Sequence, residues 1–153
     1  MKQEYLSLIL LIERLHRRFL DVVKSELDRL KVEDINNIQT LILYNIGNEH
    51  ITVGELTNRG YYLGSNVSYN VKKLVENEYL VQERSPHDKR SVKVRLSPKG
   101  LALCEKIDQF YQKNVAELTS VVISGESLNS IIKYLKALEA FWASYNNSNT
   151  NQS

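Results

Sequence analysis

With 153 residues, of which 42% are hydrophobic and 25% charged, the chain has an ordinary globular composition, and its length predicts one domain spanning residues 1–153. A net charge of +2 excludes a protein that is basic throughout, so any contact with nucleic acid must depend on where positive charge is concentrated. A single cysteine, Cys104, excludes an internal disulfide and favours a cytoplasmic protein, and the apolar run at residues 6–12 is too short to cross a membrane.

The chain opens with a long predicted helix. Over residues 3–30, apolar side chains recur at steps of three and four, with no Gly or Pro to interrupt them, which is the pattern of an amphipathic helix. Asp34 is predicted to cap a second helix, because its carboxylate can accept bonds from the free N–H groups of the first turn. Gly47 is predicted to end that helix.

Two shorter helices are predicted next. Thr52 and Glu55 stand at the spacing of a capping box, in which each side chain bonds the backbone N–H of the other residue, and they start a third helix that ends by residue 60. After a turn, Ser65 is predicted to cap a fourth helix that runs to about Asn77. Two short helices joined by a tight turn make a helix-turn-helix.

Residues 79–98 predict a two-stranded hairpin with a polar loop at its tip. On the return strand, apolar residues alternate with Lys93 and Arg95, which is the pattern of a half-buried strand. Six basic and two acidic residues lie between positions 79 and 100. This concentration of positive charge on a short protruding element suits contact with DNA, and Lys93 and Arg95 are predicted to bind phosphates.

Two further helices complete the chain. Ser97 and Pro98 supply a cap and a first-turn proline for a fifth helix, which runs to about Val122. Ser127 is predicted to cap a sixth helix with an apolar stripe. The polar residues 146–153 are predicted to be a disordered tail.

The order of these elements predicts a mainly α fold with a small β-hairpin wing. Residues 35–98 form a winged helix-turn-helix region, and the long helices at 3–30 and 98–145 are predicted to be dimerisation helices. Their apolar faces are large for so small a core, and pairing with a second copy in a symmetric homodimer would bury them. The alternative is that these helices pack within one chain as a closed bundle.

The fourth helix has the pattern of a recognition helix. Val67, Val71, Leu74 and Val75 fall on one side and are predicted to face the core. The remaining positions carry polar side chains suited to base edges and phosphates, with no acid in the first two turns. The alternative is an ordinary solvated helix face, but the basic hairpin that follows favours DNA. The predicted DNA contacts on this helix are Ser65, Asn66, Ser68, Tyr69, Asn70, Lys72 and Lys73.

The wing sequence resembles that of the MarR family, the multiple-antibiotic-resistance-type regulators of bacteria. The match follows the family pattern D-x-R…V-x-L-[TS]-x-x-G. It is carried by Asp88, Lys89, Arg90, Val92, Val94, Leu96, Ser97 and Gly100. The resemblance implies a homodimeric winged helix-turn-helix transcription factor whose terminal helices interlock. Such a dimer would bind a pseudo-palindromic operator in double-stranded DNA.

The resemblance also implies roles for individual residues. Arg90 would enter the minor groove at the wing tip, Asp88 would hold this arginine in place, and Lys89 would contact phosphate. Residues 65–73 would occupy the major groove. The stretch 59–70 departs from the usual family form, since its turn is longer and more aromatic. It is most similar to the LdtR-type branch of alphaproteobacterial regulators, which implies control of L,D-transpeptidase and other cell-wall or stress genes.

A cleft for a small, often aromatic, effector is a further implication of the family resemblance. It would lie between the dimerisation helices and the winged region, and it would need apolar walls with a few polar anchors. The candidate anchors are His16, Arg17, Tyr44 and Tyr61, each of which is equally compatible with packing or with an exposed surface.

No metal, cofactor or catalytic site is predicted. His16, His50 and His87 stand far apart, with no Cys or paired acid at ligand spacing. No nucleotide-binding or hydrolase motif is present, which disfavours an enzyme. Cys104 lies among apolar residues, where the pKa of a thiol rises and its reactivity falls. The remaining alternative is a winged-helix module that binds protein and not DNA.

Overall fold

A computed structural model shows the fold of the chain. It describes these parts of the sequence: residues 1–59, 64–87 and 91–150, with the backbone alone at 64–65 and 148–150. Its elements follow one another in this order: α1 Lys2–Arg29, α2 Asn37–Ile46, β1 Ile51–Thr52, α3 Val53–Asn58, α4 Gly64–Glu76, β2 Leu80–Arg84, β3 Val92–Leu96, α5 Pro98–Val121 and α6 Gly125–Thr150. The predicted fold class, mainly helical with a small antiparallel wing, is confirmed.

The chain divides into two compact units, Met1–Gln109 and Phe110–Ser153, where its length predicted a single domain. The first unit contains α1 to α4, the sheet and the first part of α5. The buried residues of α5 are Gly100, Leu103 and Ile107, and all three precede the division. The apolar core of the first unit is therefore complete before α5 ends.

The start of α2 differs from the prediction. Its cap is Asn36, whose side-chain oxygen accepts the N–H of Gln39 at 2.8 Å, while the Gln39 side chain accepts the N–H of Asn36 at 3.0 Å. Asp34 lies two residues earlier and accepts bonds from Tyr79 and Lys99 instead. Both Asp and Asn are good caps, but only Asn36 has a glutamine three residues later with which to close a capping box.

The sheet has three strands in the order β1-β3-β2, and both pairs are antiparallel. The predicted hairpin is confirmed, with Leu80 opposite Leu96. Val94 is buried while Lys93 is exposed, as the alternation predicted. The strand β1 escapes prediction because two residues are too few to show a period. Its second residue, Thr52, also forms the predicted capping box of α3.

The predicted N-cap is wrong for α4 and confirmed for α5. The helix α4 already begins at Gly64, so Ser65 lies inside its first turn and is not the residue before it. The start of α5 is as predicted, because the Ser97 hydroxyl accepts the N–H of Gly100 at 3.1 Å and Pro98 is the first helical residue.

The helix α6 is longer than predicted at both ends. Ser124, and not Ser127, is its cap, since the Ser124 hydroxyl accepts the N–H of Ser127 at 3.1 Å and the helix already begins at Gly125. Residues 146–150, predicted as part of a disordered tail, are helical, because no Gly or Pro follows Gly125 to stop the helix. None of the helices in the described ranges combines the length and hydropathy needed to cross a bilayer.

The core of the first unit fixes the position of α4. Apolar side chains from α1, α2, α3, α4, β3 and α5 meet there and exclude water, which is the main source of its stability. The most deeply buried of these are Val23, Ile42, Leu43, Ile46, Leu56, Val67, Leu74, Val94 and Ile107. The helix α4 contacts α2, α3 and β2, so three elements hold its inner face.

Candidate nucleic-acid interface

The helix α4 has one buried face and one exposed face. Val67, Val71 and Leu74 are at most 2% exposed, as predicted. Polar side chains occupy the opposite face and are exposed to solvent. They are Asn66, Ser68, Tyr69 and Lys72. An amide, two hydroxyls and an ammonium group supply the donors and acceptors that fit base edges and phosphate oxygens.

Asn70 does not belong to this exposed face, and its burial speaks against its predicted DNA contact. Its side chain is 8% exposed, and its oxygen accepts a hydrogen bond from the side-chain amide of Gln39, 3.1 Å away. Asn70 stands three residues after Val67 and four before Leu74, so it lies on the buried stripe of the helix. That spacing is the signal by which the sequence could have placed it correctly.

Gln39 is therefore a positioning residue that sequence reasoning missed. It is 6% exposed, and it uses both ends of its amide: the oxygen closes the capping box of α2, and the nitrogen bonds Asn70 of α4. The spacing Asn36-x-x-Gln39 is the local signal for the capping box. The bond to Asn70 spans 31 positions and has no local signal.

Lys73 lies at the edge of the exposed face. Its ammonium group donates to the Glu76 carboxylate at 3.2 Å, and this hydrogen bond raises the pKa of Lys73. The same group lies 5.8 Å from the centre of the Tyr69 ring. The ammonium group of Lys73 is thus bonded near the C-terminal end of α4, while Lys72 is exposed.

The described part of the wing carries a fixed ion-pair network beside exposed positive charge. Arg95 donates to the Glu83 carboxylate, and His50 lies 2.9 Å from the other oxygen of that carboxylate. The hydrogen bond from Arg95, followed by that from His50, lowers the pKa of Glu83. Arg95 is therefore engaged within the sheet, which speaks against its predicted phosphate contact. Arg84 and Lys93 are exposed.

Several predicted site residues lie outside the described residues. These are Asp88, Lys89 and Arg90 at the wing tip, and Tyr61 before α4; at Ser65 the backbone alone is described. Their predicted contacts with DNA or effector remain predictions.

Of the other candidate effector anchors, two are exposed and one is bonded to a neighbouring helix. His16 and Arg17 are exposed on α1. The Tyr44 hydroxyl donates to the carboxylate of Asp108 on α5 at 2.9 Å, and this bond raises the pKa of Tyr44.

A shallow cleft of about 160 Å³ lies next to the ion-pair network of the wing. It is lined by Gly47, Asn48, Glu49, His50, Arg95, Leu96 and Leu101.

Two observations on the described residues concern metal ligands and the cysteine. No three His, Cys, Asp or Glu side chains in those ranges lie close enough to hold a metal ion. Cys104 is a half-buried free thiol, and burial raises its pKa to about 11. Such a thiol carries very little thiolate at neutral pH and is therefore a poor nucleophile.

Comparison with known proteins agrees with this geometry. The sequence model of the MarR family matches residues 33–91. The chain is 38% identical over 138 residues to the exopolysaccharide II synthesis transcriptional activator ExpG of Rhizobium meliloti, a match that covers 90% of this chain and 71% of that protein.

Solved structures share this fold over most of the chain. FabT of Streptococcus pneumoniae, in a complex with DNA, superposes with a TM-score of 0.76 at 19% identity, over 92% of this chain and 99% of FabT. The MarR protein of Staphylococcus aureus, in a complex with salicylate and kanamycin, superposes with a TM-score of 0.73 at 25% identity, over 94% and 96% of the two chains. Sequence, fold and the exposed polar face of α4 lead to one conclusion: this chain is a transcriptional regulator of the MarR family.

Proposed function

We propose that this protein acts as a homodimer that binds a pseudo-palindromic DNA duplex, with α4 of each protomer in the major groove and each wing in an adjoining minor groove. The observation that carries this proposal is the exposed face of α4. Asn66, Ser68, Tyr69 and Lys72 are all exposed there, and the first turn of the helix contains no acid. Such a face can approach a polyanion without repulsion, while its amide and hydroxyl groups read base edges.

Exposed positive charge on the wing supports the same docking. Arg84 and Lys93 stand at the ends of β2 and β3 that lead to the loop carrying Lys89 and Arg90. Each phosphate contact releases counterions, so the logarithm of the affinity falls with the logarithm of salt concentration by about 0.9 per contact. A dimer that uses several such residues on each protomer would bind with a steep dependence on salt.

Dimer formation is supported by apolar side chains that a single chain leaves exposed. On α1, Leu10 is 58% exposed and Leu15 is 54% exposed; on α6, Phe141 is 58% exposed and Ile132 is 48% exposed. Burying the exposed half of each such side chain contributes roughly 1 kcal/mol. Large apolar side chains left exposed in this number favour an association surface. We expect sedimentation at micromolar concentration to give the mass of two chains, and a monomer would contradict the dimer.

The direct test is selection of DNA by the purified protein. Duplexes retained from a random-sequence library should share a pseudo-palindrome with half-sites about one helical turn apart. In anisotropy titrations with a selected duplex, Tyr69→Ala should change the relative affinities for single-base variants of the site. Arg90→Ala should weaken binding strongly without unfolding the protein.

The variant Lys72→Ala tests a phosphate contact. Lys72→Ala should weaken binding to all duplexes alike and reduce the salt slope by about 1, as expected for one lost phosphate contact. The matched control is Lys106→Ala, which removes another exposed lysine, from α5, and should leave the salt slope unchanged. If the wild type retains no common site and binds without salt dependence, a module that binds protein becomes the better interpretation.

A small aromatic effector and a set of target genes complete the proposal. The related Staphylococcus aureus protein forms a complex with salicylate, and the cleft beside His50 and Arg95 offers apolar and basic side chains that suit an aromatic acid. We expect salicylate to lower the affinity for the selected duplex, and an unchanged affinity at millimolar salicylate would exclude it as an effector. Promoters of exopolysaccharide synthesis and of L,D-transpeptidase or other cell-wall genes are the first targets to test.

A further inference from the structure

The C-terminal end of the recognition helix is fastened to two other segments of the first unit by polar side chains. We call this group the junction cluster; its members are Asp34, Asn77, Tyr79 and Lys99. Asp34 precedes α2, Asn77 and Tyr79 connect α4 to β2, and Lys99 lies in the first turn of α5. Neither the exposed face of α4 nor the wing includes any of them.

Asp34 is the centre of the junction cluster. One carboxylate oxygen accepts the Tyr79 hydroxyl at 2.7 Å and the other accepts the Lys99 ammonium group at 2.9 Å. Its backbone carbonyl accepts the side-chain amide of Asn77 at 3.1 Å. One residue outside any helix or strand thus binds the end of α4, the start of β2 and the start of α5.

Lys99 makes a second connection to α4. Its ammonium group donates to the backbone carbonyl of Asn77 at 3.0 Å and lies 4.2 Å from the centre of the Tyr79 ring. Carbonyl groups at the end of a helix lack partners within the helix and carry partial negative charge, so a lysine placed there is stabilising. The first turn of α5 therefore holds the end of α4 by a charged hydrogen bond.

The backbone around the junction cluster leaves little freedom. Glu78 has a φ of 66°, in the left-handed region, where the chain turns from α4 into β2. The Ser97 hydroxyl donates to the Glu78 carbonyl at 2.6 Å, and the Ser97 N–H donates to the Tyr79 carbonyl at 3.0 Å. The start of α5 is thus bonded to this turn through its backbone as well as through Lys99.

The protonation states of Tyr79 and Asp34 suit the hydrogen bond between them. Burial, together with the bond to Asp34, raises the pKa of Tyr79, so its hydroxyl keeps its proton. Although burial alone would raise the pKa of Asp34, the hydrogen bonds from Lys99 and Tyr79 hold it below its ordinary value. The Tyr79 donor and the Asp34 acceptor therefore remain matched at neutral pH.

We propose that the junction cluster positions the recognition helix: it fixes the angle between α4 and α5, and thereby the separation of the two recognition helices in the dimer. This inference rests on the proposed function, in which α5 belongs to the dimerisation helices. Lys99 is a positioning residue that acts through α4 and needs no contact with DNA. Without it, α4 keeps its buried face, and the turn after it keeps the bonds from Ser97, but the charged hydrogen bonds from α5 to Asn77 and Asp34 are lost.

The test compares spacing preference in the wild type and in Lys99→Met, which keeps the length of the side chain and removes the charge and donors. The probes are the selected duplex and versions with one base pair inserted or removed at its centre. We expect the wild type to lose about tenfold or more in affinity on each change, as a misplaced half-site should. Lys99→Met should lose threefold or less, because its recognition helices can adapt.

Two controls separate positioning from simple stability. Lys99→Arg keeps a charged donor and should retain the wild-type spacing preference, and Lys106→Met removes a lysine from the same helix and should also retain it. If Lys99→Met shows the wild-type profile, or weakens all duplexes equally together with a lower melting temperature, the positioning role is overturned.

A second measurement does not depend on DNA. Hydrogen exchange of the backbone amides at residues 73–79 should be faster in Lys99→Met than in wild type, while exchange in α2 stays the same. Unchanged exchange at 73–79 would overturn the proposal. A wild-type protein that selects no duplex, but whose Lys99→Met variant does exchange faster, would refute the proposed DNA binding while supporting the role of the cluster in holding α4.

Discussion

Replacing Gly100 by Ala should destabilise the protein, although the same change in most helices is stabilising. Gly100 is the third residue of α5 and is buried. A Cβ atom there would lie well under 3.0 Å from the carbonyl oxygen of Tyr79 and 3.3 Å from its carbonyl carbon. These are backbone atoms, and the oxygen already accepts the N–H of Ser97. Neither side can therefore move without disturbing the contact between β2 and α5.

The expected magnitude follows from two opposing terms. Forcing a methyl group into a filled space costs about 1–3 kcal/mol. Alanine is better than glycine in a helix by up to about 1 kcal/mol, and less in the first turn. We therefore expect Gly100→Ala to lower the free energy of unfolding by about 1–2 kcal/mol. With a denaturant dependence of about 2 kcal/mol per molar urea, the midpoint would fall by about 0.5–1 M.

Gly54→Ala is the matched control. Gly54 lies in α3, and a Cβ there would meet only the Thr52 hydroxyl at 3.8 Å, an ordinary contact. Its unfolding midpoint in urea, followed by circular dichroism at the same protein concentration as wild type, should stay equal or rise. If Gly100→Ala unfolds at the same urea concentration as Gly54→Ala, or at a higher one, the close approach of α5 to β2 has been misjudged.

Three further predictions concern buried or titratable groups. Asn70→Ala should cost about 1–3 kcal/mol of stability, because it leaves the buried amide of Gln39 without its acceptor. In the same urea titration, Asn66→Ala should leave the stability unchanged, although it should weaken DNA binding. Equal losses of stability in the two variants would contradict the assignment of the buried and exposed faces of α4. The pKa of Asp34 is lowered in the folded state, so its ionised form stabilises the protein above the ordinary carboxyl pKa of about 3.9 and this contribution disappears as the pH falls through the folded pKa. Asp34→Asn should therefore be less stable than wild type at pH 7, with a difference that shrinks towards pH 3; a constant difference would refute the linkage. Since burial raises the pKa of Cys104 from 9.0 to about 11, native protein at pH 8 should react with a thiol reagent about 100-fold more slowly than unfolded protein, and equal rates would show that the thiol is not shielded.

Local patterns in the sequence were enough for most of the secondary structure. The capping box at Thr52 and Glu55, the cap at Ser97 and the alternation along β3 all depend on neighbours within four positions. The reason for a glycine at position 100 of the motif is visible only in the folded chain, where the backbone of Tyr79 lies too close to leave room for a Cβ atom. At the start of α2 the prediction chose Asp34, although the local spacing Asn36-x-x-Gln39 carried the signal of the capping box that forms.

The sequence alone determined the family, the helical fold with its wing, and the polar character of the recognition helix, since periodicity and short motifs follow from bonds between close neighbours. Tertiary structure decided which partner each engaged polar side chain binds. Asn70 turns inward to Gln39, 31 positions away; Arg95 is bound by Glu83; and Asp34 reaches Lys99, 65 positions away. Asn70 and Asp34 meet these partners only when the helices pack, and Arg95 meets Glu83 only when β2 and β3 pair, so no pattern of close neighbours reveals the contacts.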